Sequence, residues 1–306
     1  MKRASLWKGT YVLGEPLGRG GTASVYRARR SNDRTDANEL AVKVIPLDEI
    51  EGPQAVLERY HRIARLHHAN LLPILDLGIS DRMLFVVSPL AEEGSLRELL
   101  RRGSLSPQVA LRIMCQIADA LQYLHDQGIL HLDVKPANIM LAAGHEPMLG
   151  DFGLSEKLAP GPTGRPRVRG TPAYMAPEQC QVAPIGPPGD QYALAVTSFE
   201  LLTGRRPFMG GSPDEMLRRQ VFEPPPSPSR VCPWLPVEVD EVLLRALVKD
   251  PARRFPSVSA FASALNRAMA TVRSDVPPPR SAESSEPATL EAVTLDIGRG
   301  QARYHV

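Results

Sequence analysis

The spacing of apolar and polar residues divides the chain into a first part rich in strands and a second part rich in helices. In the first part, residues 53–66 carry an apolar stripe at helical spacing, which predicts one helix. Short β-branched or alternating runs on either side of it predict strands at residues 11–13, 24–28, 40–45, 71–77 and 83–87. The pattern therefore predicts a small sheet accompanied by one main helix.

The second part begins near residue 92 and is dominated by helical patterns. Ser106 and Pro107 are typical of a helix cap and first turn, and Gly128 ends the helix that they begin. Apolar residues recur along this helix at i, i+4 spacing, as expected at the centre of a helical lobe: Ile113, Ile117, Leu121 and Leu124. Further helices are predicted over residues 192–202, 239–247 and 257–272.

Composition and charge narrow the class of protein. The chain has 306 residues with 36 basic and 34 acidic side chains, and this balance gives no reason to expect nucleic acid or a membrane surface as a partner. No uninterrupted apolar segment approaches the ~20 residues of a membrane helix, and the N-terminus lacks the apolar run of a signal peptide. Three widely spaced cysteines predict neither a disulfide framework nor a zinc site. We therefore expect a cytoplasmic protein of one large domain or two lobes.

The composition changes after residue 272, where prolines, serines and glutamates prevail. Such a segment buries too little apolar surface to fold by itself, so residues 273–306 are expected to form a disordered tail. A weak alternation over residues 289–297 leaves a strand or a docking peptide open as alternatives there.

Polar residues at short fixed spacings stand out in the middle of the chain: Asp133, Lys135, Asn138 and Asp151. Transfer of a phosphoryl group from a magnesium nucleotide needs a carboxylate at the accepting hydroxyl, a cation at the phosphate, and oxygen ligands for the metal. The surrounding residues 131–138 and 151–153 resemble the H-R-D-x-K-x-x-N loop and the D-F-G turn of protein kinases. Leu132 stands where most members of that family have arginine.

A glycine-rich turn joins the first two predicted strands and contains Gly18, Gly20 and Gly21. On its own this turn is explained equally well as a bare hairpin. The strand that follows it argues against a dinucleotide-binding motif, which needs a helix at that point. Lys43 on the next strand favours the phosphate-covering loop of a kinase, which the turn resembles.

The resemblance implies a bilobal α+β kinase fold over residues 9–272, with a sheet-containing N-lobe at 9–89 and a mostly helical C-lobe at 92–272. It implies ATP and Mg²⁺ as cofactors, with Asp133, Lys135 and Thr171 as catalytic residues. Asn138 and Asp151 are the implied metal ligands. The residues implied to bind the nucleotide are Leu17, Gly18, Arg19, Gly20, Gly21, Val25, Ala41, Lys43, Leu90, Asn138 and Asp151.

One position of the first predicted helix departs from the family. Protein kinases pair the strand lysine with a glutamate on this helix, and the spacing from residues 66–70 assigns that position to Arg59. Glu58 is one residue away, which is about 100° around a helix. Either the helix shifts its register or the pair between Lys43 and a glutamate is absent.

Residues 170–178 resemble the end of a kinase activation segment, which closes on Ala-Pro-Glu. The resemblance implies a floor for a protein substrate, with Thr171 close to Asp133 and Lys135 as a sign of serine/threonine specificity. Because Leu132 replaces the arginine that binds a loop phosphate in many kinases, we expect activity not to depend on phosphorylation of Thr163.

Two further contacts are implied in the helical lobe. Asp190, at the start of a predicted helix, is expected to accept backbone amides of the catalytic loop. Arg254 is expected to form a buried pair with Glu178, the glutamate that ends the activation segment.

These motifs favour an ATP-dependent serine/threonine protein kinase, similar to bacterial kinases of eukaryotic type. A pseudokinase that only binds nucleotide or docks a partner is the alternative from a different class, and Arg59 and Leu132 favour it. A small-molecule phosphotransferase of kinase fold is less expected, because such enzymes generally lack a segment like residues 170–178. The sequence identifies neither the protein substrate nor a regulatory partner.

Overall fold

The first lobe is an antiparallel sheet with one helix against it. The computed structural model describes residues 5–6, 10–20, 23–32, 39–49, 53–103, 105–152, 167–168, 170–181, 183–270, 272, 294–298 and 301–305. The sheet has the strand order β1-β2-β3-β4-β6-β5, and the helix is α1 (Pro53–Ile63). Its strands are β1 (Ser5–Leu6), β2 (Tyr11–Gly20), β3 (Ala23–Arg30), β4 (Leu40–Pro46), β5 (Asp76–Ser80) and β6 (Met83–Pro89).

Side chains of β4 alternate between two apolar clusters. Val42 packs with Phe85 on one face of the sheet, and Ile45 packs with Tyr60 of α1 on the other. Because successive side chains of a strand point to opposite faces, Lys43 shares the face of Ile45. The sheet therefore presents Lys43 on the side that α1 covers.

Two predicted elements of this lobe differ from the structure. The strand predicted over residues 71–77 is misplaced, because β5 begins only at Asp76. The preceding stretch pairs with the other lobe instead: the amide of Leu72 donates to the carbonyl of Leu149 at 2.9 Å, and Pro73 has no amide for the sheet. The helix predicted over residues 53–66 is present but ends at Ile63.

The second lobe is mostly helical, as predicted. Its described helices are α2 (Leu96–Arg102), α3 (Pro107–Asp126), α4 (Pro177–Cys180), α5 (Pro187–Thr203), α6 (Pro213–Phe222), α7 (Pro228–Val231), α8 (Val237–Ala246) and α9 (Val258–Met269). Helix α3 begins as expected, because the Ser106 side chain accepts the Val109 amide. Its predicted apolar stripe is fully buried and lies in the main core: Ile113, Ile117, Leu121 and Leu124.

A short hairpin sets the position of the site. Strand β7 (Ile139–Ala142) pairs with β8 (Glu146–Leu149), and Ile139 lies opposite Leu149. The residues just before β7 and just after β8 therefore meet at one end of the hairpin. There the amide of Gly150 donates to the carbonyl of Asn138 at 2.8 Å, which places Asn138 beside the turn that carries Asp151.

The C-terminal segment pairs with the chain before Gly170. Strands β10 (Thr294–Gly298) and β11 (Gln301–His305) form a hairpin, and β10 also pairs with β9 (Arg167–Val168). The prediction of a disordered tail is therefore wrong for these strands, while the alternative of a strand within residues 289–297 is met at its C-terminal end. The remainder of residues 273–306, apart from this hairpin, lies outside the described residues. No helix in the described part of the chain is long and apolar enough to cross a membrane.

Candidate active site

The loop that carries Asp133 turns at Leu132, whose φ of 63° lies in the left-handed region that leucine rarely adopts. Side chains from α4 and α5 hold this conformation on both sides. Asp190 accepts the amides of His131 and Leu132 at 2.8 and 2.6 Å, as expected, and Gln179 donates to the Leu132 carbonyl at 3.1 Å. A strained backbone of this kind costs about 1–3 kcal/mol, so these contacts fix the direction in which Asp133 leaves the turn.

His125, in the last turn of α3, completes the support of this loop. Its Nε2 lies 2.8 Å from Oδ2 of Asp190, and the Asp190 side chain is fully buried. Burial alone would raise the pKa of Asp190. The hydrogen bond from His125, the charges of His125 and His131 and the backbone amide of His131 outweigh burial and lower that pKa below its ordinary value. The loop is therefore tied to a carboxylate that stays ionised.

Asp133 is the centre of the polar cluster that the sequence predicted. Lys135 Nζ and Asn138 Nδ2 each lie 2.8 Å from its Oδ2, and Thr171 Oγ1 donates to its Oδ1 at 3.2 Å. Lys135 also donates to Thr171, so these side chains form one connected network. The residue is 4% exposed, and its donors fix both carboxylate oxygens in orientation.

Asn138 and Asp151 lie at the end of the β7–β8 hairpin and offer oxygen ligands. The Nδ2 group of Asn138 donates to the backbone carbonyl and the carboxylate of Asp133, which leaves its side-chain oxygen for another partner. Mg²⁺ prefers oxygen ligands and is commonly held by one or two protein groups together with substrate phosphates. The donor set therefore fits a magnesium ion that arrives with a nucleotide.

Lys43 reaches this end of the site from β4 and forms an ion pair with Asp151. Burial alone would lower the pKa of Lys43, but the Asp151 carboxylate raises it above its ordinary value. Lys43 is therefore a cation in the physiological range. Asp151 has a φ of 59°, so the turn presents its carboxylate from a backbone conformation that few residue types adopt readily.

Helix α1 offers Lys43 no carboxylate at the position that the family resemblance implies. Arg59 is buried, and its Nη1 donates to the carbonyl of Phe152 at 3.3 Å, whereas Glu58 is exposed. The helix has therefore not shifted its register to bring Glu58 inward. Of the alternatives that the sequence left open, the structure shows the one in which a lysine–glutamate pair is absent.

The predicted nucleotide-binding residues of the first lobe that the structure describes lie on the neighbouring strands β2, β3 and β4. Val25 lies opposite Gly18 of β2 and opposite Lys43 of β4, and Ala41 lies opposite Ser88 of β6. Leu17 is 40% exposed, and Arg19 and Gly20 lie at the end of β2. Gly21 lies outside the described residues.

In the connector between the lobes, the backbone amide of the predicted nucleotide-binding residue Leu90 already has a partner. The amide of Leu90 donates to the carbonyl of Glu39 at 3.0 Å. A contact from Leu90 to a base would then use its carbonyl or its side chain. The amide of Ala91 has no hydrogen-bond partner among the described residues, so it is the next donor available along the connector.

The segment after Thr171 is held in place by buried side chains of the helical lobe. Pro172–Tyr174 form one turn of 3-10 helix directly after Thr171. Gln220 of α6 is fully buried and donates to the carbonyls of Pro172 and Ala173 at 3.1 and 2.7 Å, while its Oε1 accepts from Tyr192 at 2.7 Å. The predicted pair of Glu178 and Arg254 is also present, with both side chains buried.

Several of these supporting residues were not predicted from the sequence: His125, Gln179 and Gln220. Gln220 leaves a signal, because it is a polar residue three and four positions after Leu217 and Met216, on an otherwise apolar helix face. His125 and Gln179 have no comparable signal, since their partners, Asp190 and Leu132, are distant in sequence.

A sheet-containing lobe, a helical lobe and a hydrogen-bonded cluster around Asp133, with Lys43 paired to Asp151, are the arrangement expected of a protein kinase domain. A family model for the protein kinase domain matches residues 11–265. The chain therefore belongs to the protein kinase family.

Individual relatives agree with this assignment. The chain is 37% identical over 272 residues to the serine/threonine-protein kinase PkaA of Streptomyces coelicolor, and 33% identical over 279 residues to PknB of Mycobacterium leprae. These matches cover 83% and 88% of this chain but 49% and 44% of the relatives. The chain thus spans about half the length of these curated relatives or less. Among solved structures, the kinase domain of Mycobacterium tuberculosis PknI superimposes with a TM-score of 0.67 at 29% identity, covering 88% of this chain and 100% of that one.

Proposed function

We propose that the protein is an ATP-dependent serine/threonine protein kinase. The observation that carries this proposal is the network in which Lys135, Asn138 and Thr171 hold both oxygens of the Asp133 carboxylate. A carboxylate fixed in this way can receive the proton of a substrate hydroxyl and orient that hydroxyl for attack. Lys135, whose Nζ lies 2.8 Å from the same carboxylate, would supply positive charge for the phosphate that is transferred.

The nucleotide would lie between the glycine turn and the lobe junction. Lys43 and the backbone of Gly18, Arg19, Gly20 and Gly21 would bind its phosphates. Leu17, Val25 and Ala41 would enclose the base, with a backbone contact from Leu90 or its neighbour Ala91. Asn138 and Asp151 would hold magnesium, which neutralises charge on the phosphates when it is bound.

The pseudokinase remains the second candidate because of Arg59, which occupies the position of a glutamate and binds the carbonyl of Phe152. Three observations favour an active enzyme over it. The Asp133 carboxylate has its hydrogen-bond donors, the side chains of Asn138 and Asp151 provide oxygens that can bind a metal, and Lys43 forms an ion pair with Asp151. A small-molecule phosphotransferase is disfavoured by the ordered floor that follows Thr171, which suits an extended protein segment.

The wider setting is also part of the proposal. The kinase domain would occupy residues 9–272, slightly beyond the family match, followed by a tail at 273–306 whose strand β10 pairs with β9. The cysteines in the described residues carry free thiols, which suits the reducing cytoplasm where ATP is available. The tail or a protein partner would carry the regulatory signal.

The test is incubation of the full chain with radiolabelled ATP, magnesium and a generic protein substrate. Wild type is expected to transfer label to serine or threonine, and Asp133→Asn to lose about 10²–10⁴-fold in rate. Equal incorporation by both proteins would contradict catalysis by this site. Label on tyrosine alone would contradict the serine/threonine assignment.

A further inference from the structure

Tyr60 of α1 places a phenol hydroxyl where the sheet presents Lys43. The residue is 2% exposed, and its hydroxyl has no hydrogen-bond partner among the described residues. A hydroxyl buried without a partner costs about 1–3 kcal/mol, so an apolar residue of the same shape would suit the cluster better in this state. A second state of the site in which this hydroxyl has a partner would explain its presence.

The registers of the sheet show which group lies nearby. Tyr60 packs in one cluster with Ile45 of β4 and with Leu84 and Val86 of β6. Val86 lies directly opposite Lys43, and Leu84 lies opposite Ile45, so all of them share the face that carries the Lys43 side chain. Tyr60 thus lies on the same side of the sheet as Lys43 and packs in one cluster with Val86, the residue paired with Lys43.

Lys43 would lose its present hydrogen-bond acceptor when magnesium nucleotide binds. Its carboxylate partner is now Asp151, but the proposed function, on which this inference rests, requires Asp151 to bind magnesium. Helix α1 cannot supply a carboxylate, because Glu58 is exposed and Arg59 donates to the Phe152 carbonyl. Among the described side chains of α1, Tyr60 combines a buried oxygen with a position on the Lys43 face.

We propose that the Tyr60 hydroxyl accepts a hydrogen bond from the Lys43 ammonium when Asp151 turns to the metal, and so positions Lys43 for the nucleotide phosphates. Tyr60 is then a positioning residue in place of the missing glutamate. It differs from a glutamate in being uncharged, since burial raises its pKa above the ordinary value and keeps the phenol protonated. A neutral acceptor orients Lys43 without cancelling the positive charge that the phosphates require.

The first test measures Lys43 directly in the nucleotide-free protein, without phosphoryl transfer. The rate at which an amine-directed reagent labels Lys43 is followed against pH by mass spectrometry. Asp151→Asn serves as background, because asparagine tolerates the positive φ at this position and imitates an Asp151 that has left Lys43. The other charged groups that act on Lys43 or on Tyr60 are Asp133 and Arg59, respectively, and both are kept constant.

Adding Tyr60→Phe to that background is expected to lower the pKa of Lys43 and to increase labelling at pH 8 about tenfold, since a hydrogen bond to the charged form is lost. The matched control is Tyr11→Phe, which removes a buried hydroxyl bonded to Asp76 in the cluster on the other face of the sheet. It is expected to leave Lys43 unchanged. Equal labelling profiles with and without the Tyr60 hydroxyl would overturn the proposal.

The second test separates positioning from folding. In the otherwise wild-type protein, Tyr60→Phe is expected to leave the free energy of unfolding equal or higher, because the hydroxyl is unpartnered without nucleotide. At the same time the KM for ATP and the Kd for magnesium ADP should rise about tenfold, with the KM for the protein substrate unchanged. A loss of stability with unchanged nucleotide binding would overturn the proposal. A wild type without kinase activity would instead defeat the proposed function, whatever the labelling shows.

Discussion

Arg254 binds the carboxylate of Glu178 with two parallel hydrogen bonds, 2.7 Å from Nη1 to Oε1 and 2.8 Å from Nη2 to Oε2. The same guanidinium donates to the carbonyls of Val248, Pro188 and Lys249. Arg254→Met would leave a buried carboxylate and these carbonyls without donors. We expect the free energy of unfolding to fall by about 3–5 kcal/mol, measured by urea denaturation.

The neighbouring exposed Arg253 provides the control. Arg253→Met is expected to change stability by no more than about 0.5 kcal/mol. Replacing both members of the pair, in Glu178→Met with Arg254→Met, should recover part of the loss, because no uncompensated charge then remains buried. A single Arg254→Met variant as stable as wild type would show that the pair contributes nothing.

Stability should depend on acid pH through Asp190. Its pKa is lower in the folded protein than in the unfolded chain, so it contributes stability above the unfolded value of about 3.9 and loses it as pH falls through the folded value. Asp190→Asn should therefore be less stable than wild type at pH 7, by about 1–3 kcal/mol. The difference should shrink below about pH 4. Thermal unfolding of both proteins across this range checks the prediction.

Exposed Asp126, which accepts from Gln122, provides the matched control for that experiment. Asp126→Asn should follow the wild-type curve at every pH. A gap between Asp190→Asn and wild type that stays constant from neutral to acid pH would contradict the ionised carboxylate at Asp190.

The parts that the sequence predicted well are those encoded by local pattern or by fixed spacing. The stripe of α3 and the polar cluster at Asp133 are recognisable in this way, whereas the pair of Glu178 with Arg254, which are 76 residues apart, is implied only by the family resemblance. The parts that it missed depend on contacts between distant segments. The stretch near Leu72 was assigned to a strand because its apolar residues suit either lobe, and only the contact with Leu149 decides between them.

The same reason explains why the partner of Lys43 could not be chosen from the sequence. Spacing named Arg59 and left Glu58 open, but the burial of each side chain depends on how α1 rests on the sheet. The sequence predicts Tyr60 only as one member of an apolar stripe, because its ring packs there like any apolar side chain. The spacing of apolar residues gives no information about a role for its hydroxyl.

Gln220 should control binding of the protein substrate. Gln220→Leu keeps the size of the side chain but removes the donors to the carbonyls of Pro172 and Ala173 and the acceptor for Tyr192. The floor after Thr171 then loses its brace, and a small displacement of reacting groups can cost up to about 10²-fold. We expect a higher KM for the protein substrate with the KM for ATP unchanged. Exposed Arg218→Ala is the control, and a Gln220→Leu enzyme with wild-type kinetics would contradict the brace.

Because Leu132 replaces an arginine, we expect activity not to require a phosphorylated residue in the activation segment. The buried side chain of Leu132 lies close to Gly189. An arginine in place of Leu132 would supply a positive charge for a phosphorylated residue, and leucine does not. Thr163 lies outside the described residues, and Thr163→Ala is expected to keep activity within about twofold of wild type because no phosphate-binding arginine stands before Asp133. Steady-state kinetics after phosphatase treatment check this. Loss of most activity in Thr163→Ala would contradict it.

The pairing of β10 with β9 offers another way to order that segment. Leu295 lies opposite Val168, and Asp296 lies opposite Arg167, shortly before Gly170 and Thr171. Deletion of residues 273–306 should therefore free β9, raising amide hydrogen exchange at Arg167 and Val168 and lowering activity on a protein substrate by about tenfold through a misplaced Thr171. Leu295→Pro should reproduce both effects, because proline cannot donate to the strand ladder. A truncated chain with unchanged exchange and unchanged activity would show that the tail does not order the segment.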